Sequence, residues 1–212
     1  MSSSYSDDES GMRDRVEMFF DCSSPWTYLA FESILELNKE LDFDIEWRPI
    51  LVGGLFNTIN PSVYAARENP VQQKAAYQKK DLQDWASMKN LVIGLPDPFP
   101  VNSVKVMRGA FVALEKKLLV DYARAAFQYY WSQLKDISDG SVILEIVREV
   151  GLPEDEFFEK IEEPQLKEQL RLNTEELAER GGFGSPTFFL NRHDMFFGND
   201  RIELLRRKLI LN

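Results

Sequence analysis

The side chains best suited to chemistry lie at Ser24-Pro25-Trp26-Thr27, where a predicted buried strand turns into a predicted helix. Serine followed by proline is typical of a helix start, with the hydroxyl at the N-cap. The free N–H groups and the dipole of a helix N-terminus stabilise an anion such as a thiolate, and a hydroxyl there adds one hydrogen bond. Without a neighbouring base a serine is a poor nucleophile, so Ser24 is better suited to binding a foreign thiolate than to attack. The simpler alternative is that Ser24 only caps its helix.

The thiol and imidazole content narrows the chemistry. The chain has one cysteine, Cys22, and one histidine, His193. These counts exclude an internal disulfide and argue against a metal site or a Ser-His-Asp triad, so no metal is expected. Cys22 lies two residues before Ser24 without a partner, which favours a buried, inert thiol.

The apolar pattern predicts the elements that must position Ser24. Alternation over 16–21 predicts a strand, the next apolar stretch predicts a buried helix that ends near Leu41, and alternation over 43–48 predicts a second strand. Strand, helix and strand in this order fit a βαβ unit with parallel strands. After the Gly53-Gly54 break the chain is predicted to be helical, with helices over 71–90, 103–117, 119–135, 141–150, 154–162 and 164–180.

The C-terminal end of the chain predicts a hairpin and a helix. Short apolar strands over 187–190 and 195–197 flank a polar turn, and the last helix starts near Asn199 or Asp200. A βαβ unit and a ββα unit form one sheet when they pair, so the fold class is α/β, a thioredoxin-like domain with a large all-helical insertion. The expected division is a disordered tail over 1–12, a thioredoxin-like domain over 13–55 and 181–212, and the insertion over 56–180.

Charge and hydropathy limit the partners. The 212-residue chain carries a formal net charge of -10, which would repel a phosphate backbone and argues against nucleic-acid binding. No apolar run approaches the roughly 20 residues that span a bilayer. The Ser- and Asp-rich start lacks the basic and apolar regions of a signal peptide, so we expect a cytoplasmic protein.

Two further segments would meet the Ser24 helix start in such a fold. Ser185-Pro186 precedes a strand, where thioredoxin-like folds have a cis-proline loop whose backbone can pair with a peptide-like ligand. An ordinary trans proline is the simpler expectation. Gly198-Asn199-Asp200 opens the last helix, where free N–H groups suit a carboxylate and Asp200 suits an ammonium group, although a plain helix cap explains the same residues. The three segments together predict a pocket for a small zwitterionic thiol peptide.

The chain resembles the 2-hydroxychromene-2-carboxylate isomerase and kappa-class glutathione transferase family over residues 16–209. The motifs that carry the resemblance are, in chain order, Phe20-Asp21-x-x-Ser24-Pro25-x-x-Tyr28-Leu29, Arg48-Pro49, Gly53-Gly54-Leu55-Phe56 leading to Asn60, Phe99-Pro100-x-Asn102, Met107-Arg108-Gly109, Phe183-Gly184-x-Pro186-Thr187 and Gly198-Asn199-Asp200-Arg201. Each motif is weak alone, and their order and spacing together are specific. The sequence departs from the family at Asn57, where a lysine is common near the acceptor side.

The resemblance implies a homodimer that uses glutathione, with Ser24 as the catalytic residue that activates the glutathione sulfur. It also implies a set of glutathione-binding positions: Asn60, Lys74, Ser185, Gly198, Asn199 and Asp200. Lys74 is included on a looser alignment than the other five.

The function expected from the resemblance is a glutathione-dependent isomerase that acts on 2-hydroxychromene-2-carboxylate or a similar unsaturated intermediate of aromatic degradation. In that reaction glutathione adds to the substrate, a former double bond rotates, and glutathione is eliminated. The main alternative is a kappa-like glutathione transferase or peroxidase. A Dsb-type thiol–disulfide oxidoreductase is disfavoured by the lone Cys22, and a binding module without catalysis is a further alternative.

Overall fold

The computed structural model describes residues 13–211, so the predicted tail over 1–12 lies outside the described residues. Four strands form one sheet in the order β2-β1-β3-β4. They are β1 (Arg15–Phe20), β2 (Asp44–Pro49), β3 (Thr187–Leu190) and β4 (Asp194–Phe197). Strands β1 and β2 are parallel, whereas β3 is antiparallel to both β1 and β4. The predicted βαβ and ββα units and their pairing into one sheet are therefore confirmed.

Helix α1 (Pro25–Leu41) connects the parallel strands and ends where the sequence predicted. Ser24 is its N-cap with extended backbone angles, and Pro25 fills the first helical position, where a missing N–H costs nothing. The helix stops at Asp42, which adopts the left-handed conformation at φ 51°. The cap therefore holds Ser24 at the carboxyl end of β1.

The intervening chain is mostly helical, as predicted. Its helices are α2 (Val52–Thr58), α3 (Ser62–Glu68), α4 (Gln72–Met88), α5 (Val104–Glu115), α6 (Leu119–Phe127), α7 (Gly140–Val150), α8 (Glu154–Lys160) and α9 (Pro164–Glu179). Gly53 and Gly54 do not break the pattern but lie in the first turn of α2. A π-helical turn, Gln128–Ser132, extends α6, and a 3-10 turn, Asn199–Arg201, precedes α10 (Ile202–Leu211).

The sheet has an apolar core on each face. Val16, Met18 and Phe20 belong to the large core that includes α1. Phe19 points to the opposite face, since neighbouring strand residues alternate. There it packs with Leu177 of α9. The domain division proposed from the sequence stays a prediction. Helix α9 belongs to the proposed insertion, yet it packs against Phe19 of the sheet.

In the part of the chain that the structure covers, no helix combines the length and apolar character needed to cross a membrane.

Candidate functional site

Ser24 occupies the point where the sheet, α1 and the loop before β3 meet. Its Oγ accepts a hydrogen bond from the Thr27 N–H at 3.3 Å, which is the N-cap bond expected from the sequence. The same hydroxyl donates to the Ser185 carbonyl oxygen at 3.2 Å. The hydroxyl proton therefore already points at the loop that the sequence predicted to face it.

The Ser185–Pro186 peptide bond is cis, so the simpler expectation of a trans proline is wrong. The Ser185 side chain lies inside the site, with its Oγ 2.8 Å from Thr27 Oγ1. It also accepts a hydrogen bond from the Asp21 N–H at 3.1 Å. Hydroxyl contacts thus join both ends of the Ser24-Pro25-Trp26-Thr27 segment to the proline loop.

Asp21 is a functional candidate that sequence reasoning did not select. Its carboxylate is fully buried and accepts from the Ser23 N–H at 2.9 Å, the Val52 N–H at 2.9 Å and the Ser103 hydroxyl at 3.1 Å. Burial raises the pKa of this carboxyl, and the hydrogen bonds oppose the rise. One side chain therefore ties the Ser24 turn to the starts of α2 and α5. An acidic residue directly after a buried strand was the signal in the sequence.

Asn60 links the end of α2 to the proline loop. Its Nδ2 donates to the Phe183 carbonyl at 3.4 Å, and its Oδ1 accepts from the Ser62 hydroxyl at 2.7 Å. Lys74 is exposed in the first turn of α4. Within residues 13–211 no hydrogen bond or ion pair joins Lys74 to the other predicted site residues. The structure therefore brings Asn60 to the site and leaves Lys74 on the surface.

Gly198 places the 3-10 turn next to the proline loop. Its φ of 106° strongly favours glycine, and its N–H donates to the Pro186 carbonyl at 3.1 Å. A Cβ at this position would lie 2.8 Å from Asp200 Oδ1. Asn199 is half-buried, whereas Asp200 is exposed and pairs with Arg201 at 3.0 Å. The third predicted segment thus also reaches the loop that holds Ser185.

Cys22 is buried as expected, and it is not positioned as a redox thiol. Burial raises its pKa well above the usual value, and the charge of Asp21 adds to the rise. Its N–H lies 3.3 Å from Met107 Sδ, and its carbonyl accepts from Trp131 Nε1 at 2.9 Å. A thiol that stays protonated and inaccessible is inert.

The helix start offers free hydrogen-bond donors to an anion. The Trp26 and Ser185 N–H groups have no hydrogen-bond partner in the part of the chain that the structure describes. Trp26 lies two residues after Ser24, and Ser185 carries the carbonyl that accepts from the Ser24 hydroxyl. Free amides at a helix N-terminus beside a hydroxyl suit a thiolate, and an unpaired amide before a cis-proline suits a peptide backbone.

Comparison with known proteins shows the family of this chain and supports its fold. The family model of the DSBA-like thioredoxin domain matches residues 15–210. The chain belongs to this family. Glutathione S-transferase kappa 1 from Homo sapiens is 26% identical, with 92% of this chain and 90% of the relative covered. 2-Hydroxychromene-2-carboxylate isomerase from Sphingobium xenophagum is 26% identical, with 94% and 100% covered.

Among solved structures, a 2-hydroxychromene-2-carboxylate isomerase matches this DSBA-like domain with a TM-score of 0.78 at 23% identity. The match covers 92% of this chain and 94% of that structure. The α/β thioredoxin-like fold with helical insertion is therefore confirmed, as is the predicted resemblance to the isomerase and kappa-class relatives. These relatives are isomerases and glutathione transferases.

Proposed function

We propose that this protein is a glutathione-dependent isomerase of 2-hydroxychromene-2-carboxylate or a similar unsaturated aromatic-degradation intermediate. The observation that carries the proposal is the Ser24 hydroxyl at the N-cap of α1, bonded to the carbonyl before the cis-proline at 3.2 Å. It occurs in a chain whose relatives include an isomerase of that name. A cytoplasmic homodimer is part of the proposal.

Glutathione fits this site as a cosubstrate. The free N–H groups of Trp26 and Ser185, unpaired among residues 13–211, suit its sulfur and its peptide backbone. The residues proposed to hold the rest of the molecule are Asn60, Lys74, Gly198, Asn199 and Asp200. The carboxylate of Asp200 suits the ammonium group of glutathione, and free backbone amides suit a glutathione carboxylate.

Ser24 activates the thiol by changing its hydrogen-bond acceptor. In the structure its proton points at the Ser185 carbonyl, while Thr27 N–H occupies one of its lone pairs. Rotation of the hydroxyl redirects the proton to a sulfur at the helix N-terminus. The added donor and the helix dipole together favour thiolate over thiol, which lowers the pKa of the bound sulfur.

Bound glutathione supplies the thiolate that adds to a conjugated double bond, permits rotation about the resulting single bond, and leaves again. The protein then has to stabilise the negative charge on the sulfur both before addition and after elimination. Because the Ser24 hydroxyl is a donor that never forms a covalent bond, it serves addition and elimination equally.

The second candidate is a kappa-like glutathione transferase or peroxidase. It is supported by the relative of that class, whose identity of 26% equals that of the isomerase. Both candidates share the thiolate site and differ in the acceptor. A Dsb-type oxidoreductase lacks support, since Cys22, the sole cysteine, is buried.

The deciding experiment supplies 2-hydroxychromene-2-carboxylate to the purified protein with and without glutathione and follows absorbance. We expect isomerisation only with glutathione. No glutathione-dependent turnover would refute the isomerase proposal, and conjugation of a chlorinated nitrobenzene would then favour the transferase. Calorimetric binding of glutathione without turnover of any acceptor would instead indicate a binding module.

A further inference from the structure

An arginine stacked between two aromatic rings lies outside the predicted site residues. The guanidinium carbon of Arg67, in α3, lies 5.6 Å from the ring centre of Phe56 and 5.4 Å from that of Phe99. Phe56 belongs to α2 and Phe99 to the loop between α4 and α5. We refer to Arg67, Phe56 and Phe99 as the Arg67 stack. Three separate segments thus contribute to one cation–π arrangement, which orients the guanidinium plane.

The guanidinium of Arg67 is not neutralised by a carboxylate. No ion pair or hydrogen bond to Arg67 exists within residues 13–211, whereas Lys80, Lys89 and Arg201 each form an ion pair. The N–H groups of Arg67 therefore remain available to a ligand. A planar fork of donors with fixed orientation is suited to bidentate binding of a carboxylate.

Both rings of the Arg67 stack connect to the Ser24 turn. Phe99 packs edge-on against Trp131 at 5.9 Å, and Trp131 Nε1 donates to the Cys22 carbonyl at 2.9 Å. Phe56 lies one turn after Val52, whose N–H donates to the Asp21 carboxylate at 2.9 Å. Cys22 and Asp21 precede Ser24 by two and three residues. The stack is therefore anchored to the same turn that presents the catalytic hydroxyl.

The charge of Arg67 also acts towards the interior. Burial raises the pKa of Tyr130, and the nearby Arg67 charge is among the influences that oppose the rise. Tyr130 packs against Trp131 with ring centres 4.6 Å apart. The guanidinium is thus close to the aromatic residues beneath the loop of Phe99 and not directed only into solvent.

We propose that the Arg67 stack is the acceptor subsite, in which Arg67 binds the carboxylate of a planar unsaturated acid and Phe56 and Phe99 flank its ring. This inference rests on the proposed function and assigns the acceptor's chemical class. Planar rings pack on aromatic side chains, and a charged acceptor is fixed by the bidentate fork.

The overall charge of the protein makes a local cation necessary for such a substrate. A formal net charge of -10 disfavours an approaching anion. Exposed charges are screened over roughly 8 Å at physiological salt, so a guanidinium in direct contact with the acceptor outweighs carboxylates farther away. A neutral acceptor gains nothing from this residue. Arg67 therefore separates an acid-specific isomerase from a transferase for neutral electrophiles.

The direct test is calorimetric binding of two probes of equal shape, chromone-2-carboxylate and the uncharged chromone-2-carboxamide, without glutathione. We expect the wild type to prefer the carboxylate, and Arg67→Gln to weaken its binding on the order of tenfold or more while sparing the carboxamide. Arg67→Lys should retain part of the preference, because charge remains while the fork is lost. Arg207→Gln, which removes an arginine that is 72% exposed on α10, is the matched control and should change neither probe.

Each outcome decides the subsite separately from the proposed function. The subsite is overturned if the wild type binds neither probe, shows no preference for the carboxylate, or keeps that preference in Arg67→Gln. Charge-selective binding without glutathione-dependent turnover of any acceptor would retain the subsite and refute the isomerase. If the protein shows glutathione-dependent turnover and Arg67→Gln has the same KM for the chromene acid as the wild type, the isomerase is retained and the subsite is refuted.

Discussion

The Ser24 turn and the α3–α4 arm are built in opposite ways. The Ser24 turn comprises residues 21–27 with Ser185 and Pro186, and its Asp21, Thr27 and Ser185 side chains are buried and hydrogen-bonded. The α3–α4 arm comprises residues 62–88, and Ala86 is its one buried residue. Buried, hydrogen-bonded side chains resist displacement, whereas exposed side chains adjust at lower cost. The sulfur side of the proposed reaction is thus held by buried contacts, whereas the arm that carries Arg67 is mostly exposed.

The largest effect is expected from Ser24→Ala. It removes the donor to the sulfur, and we expect glutathione-dependent turnover to fall on the order of 100-fold, as for loss of a donor to a developing oxyanion. The lost N-cap bond should lower the free energy of unfolding by only about 1 kcal/mol. Steady-state kinetics and urea denaturation measure the two effects.

Asp139→Ala is the matched control for Ser24→Ala. Asp139 caps α7 by accepting from the Ser141 N–H at 2.8 Å, so its removal costs a similar cap away from the site. Its activity should equal that of the wild type. Full activity in Ser24→Ala would show that Ser24 only caps its helix.

Asp21→Asn tests how much the Ser24 turn depends on its buried carboxylate. The two carboxylate oxygens of Asp21 accept from Ser23, Val52 and Ser103. In asparagine one of these oxygens becomes an NH2 group, so at least one of the three donors loses its acceptor. We expect a loss of roughly 2–4 kcal/mol in the free energy of unfolding. Asp84→Asn, in an exposed ion pair with Lys80, should cost within about 1 kcal/mol. Equal losses in both variants would contradict the role assigned to Asp21.

The same variant predicts a pH dependence. Burial raises the pKa of Asp21 above its usual 3.8, so the folded protein holds this proton where the unfolded chain has lost it. The contribution of Asp21 to stability is therefore fully present below that value and is lost as pH rises through the folded pKa. The stability difference between wild type and Asp21→Asn should therefore widen as pH falls from neutral towards the usual value of 3.8. A difference that narrows in this range would mean that hydrogen bonding, not burial, dominates the pKa.

Asn60→Ala tests the junction between the two regions. Asn60 bonds the Phe183 carbonyl at the base of the proline loop, so its loss should loosen the glutathione side while leaving Ser24 in place. We expect KM for glutathione to rise about tenfold with little change in kcat, the size of one or two lost hydrogen bonds. A fall in kcat with unchanged KM would instead mean that Asn60 makes an interaction that forms only in the transition state.

Lys74→Gln tests the arm itself and should have a smaller effect. Because Lys74 is exposed, we expect KM for glutathione to rise only about twofold to fivefold, as for an exposed ion pair. Lys79→Gln on the same helix is the control and should leave KM unchanged. A loss as large as that from Asn60→Ala would mean that the arm closes over the bound peptide.

The smallest effect is expected from Cys22→Ala. Its thiol is buried with a raised pKa, so the variant should keep full glutathione-dependent activity, and the folded wild type should not react with iodoacetamide. Thiol labelling followed by mass spectrometry measures this. Insulin reduction by the wild type that Cys22→Ala abolishes would instead support an oxidoreductase.

The sequence alone determined much of the scaffold, because its signals are local. Ser24-Pro25 marks the start of α1, since a short side chain with a hydrogen-bond acceptor caps a helix well and proline fits its first turn. Alternating apolar residues predicted the strands β1 and β2, although β1 is buried on both faces. Similarly, Ser24, Asn60, Ser185 and Gly198 were found from motifs, and they do converge on the proline loop.

Only the tertiary structure decided which of these groups are paired. The isomer of the Ser185–Pro186 bond and the burial of Asp21 depend on segments over 160 and 30 residues apart, which local pattern cannot relate. No sequence motif singled out Arg67, because its two aromatic neighbours come from other segments. Hydrogen bonding and cation–π contact act over a few ångströms, so their partners exist only once the chain has folded.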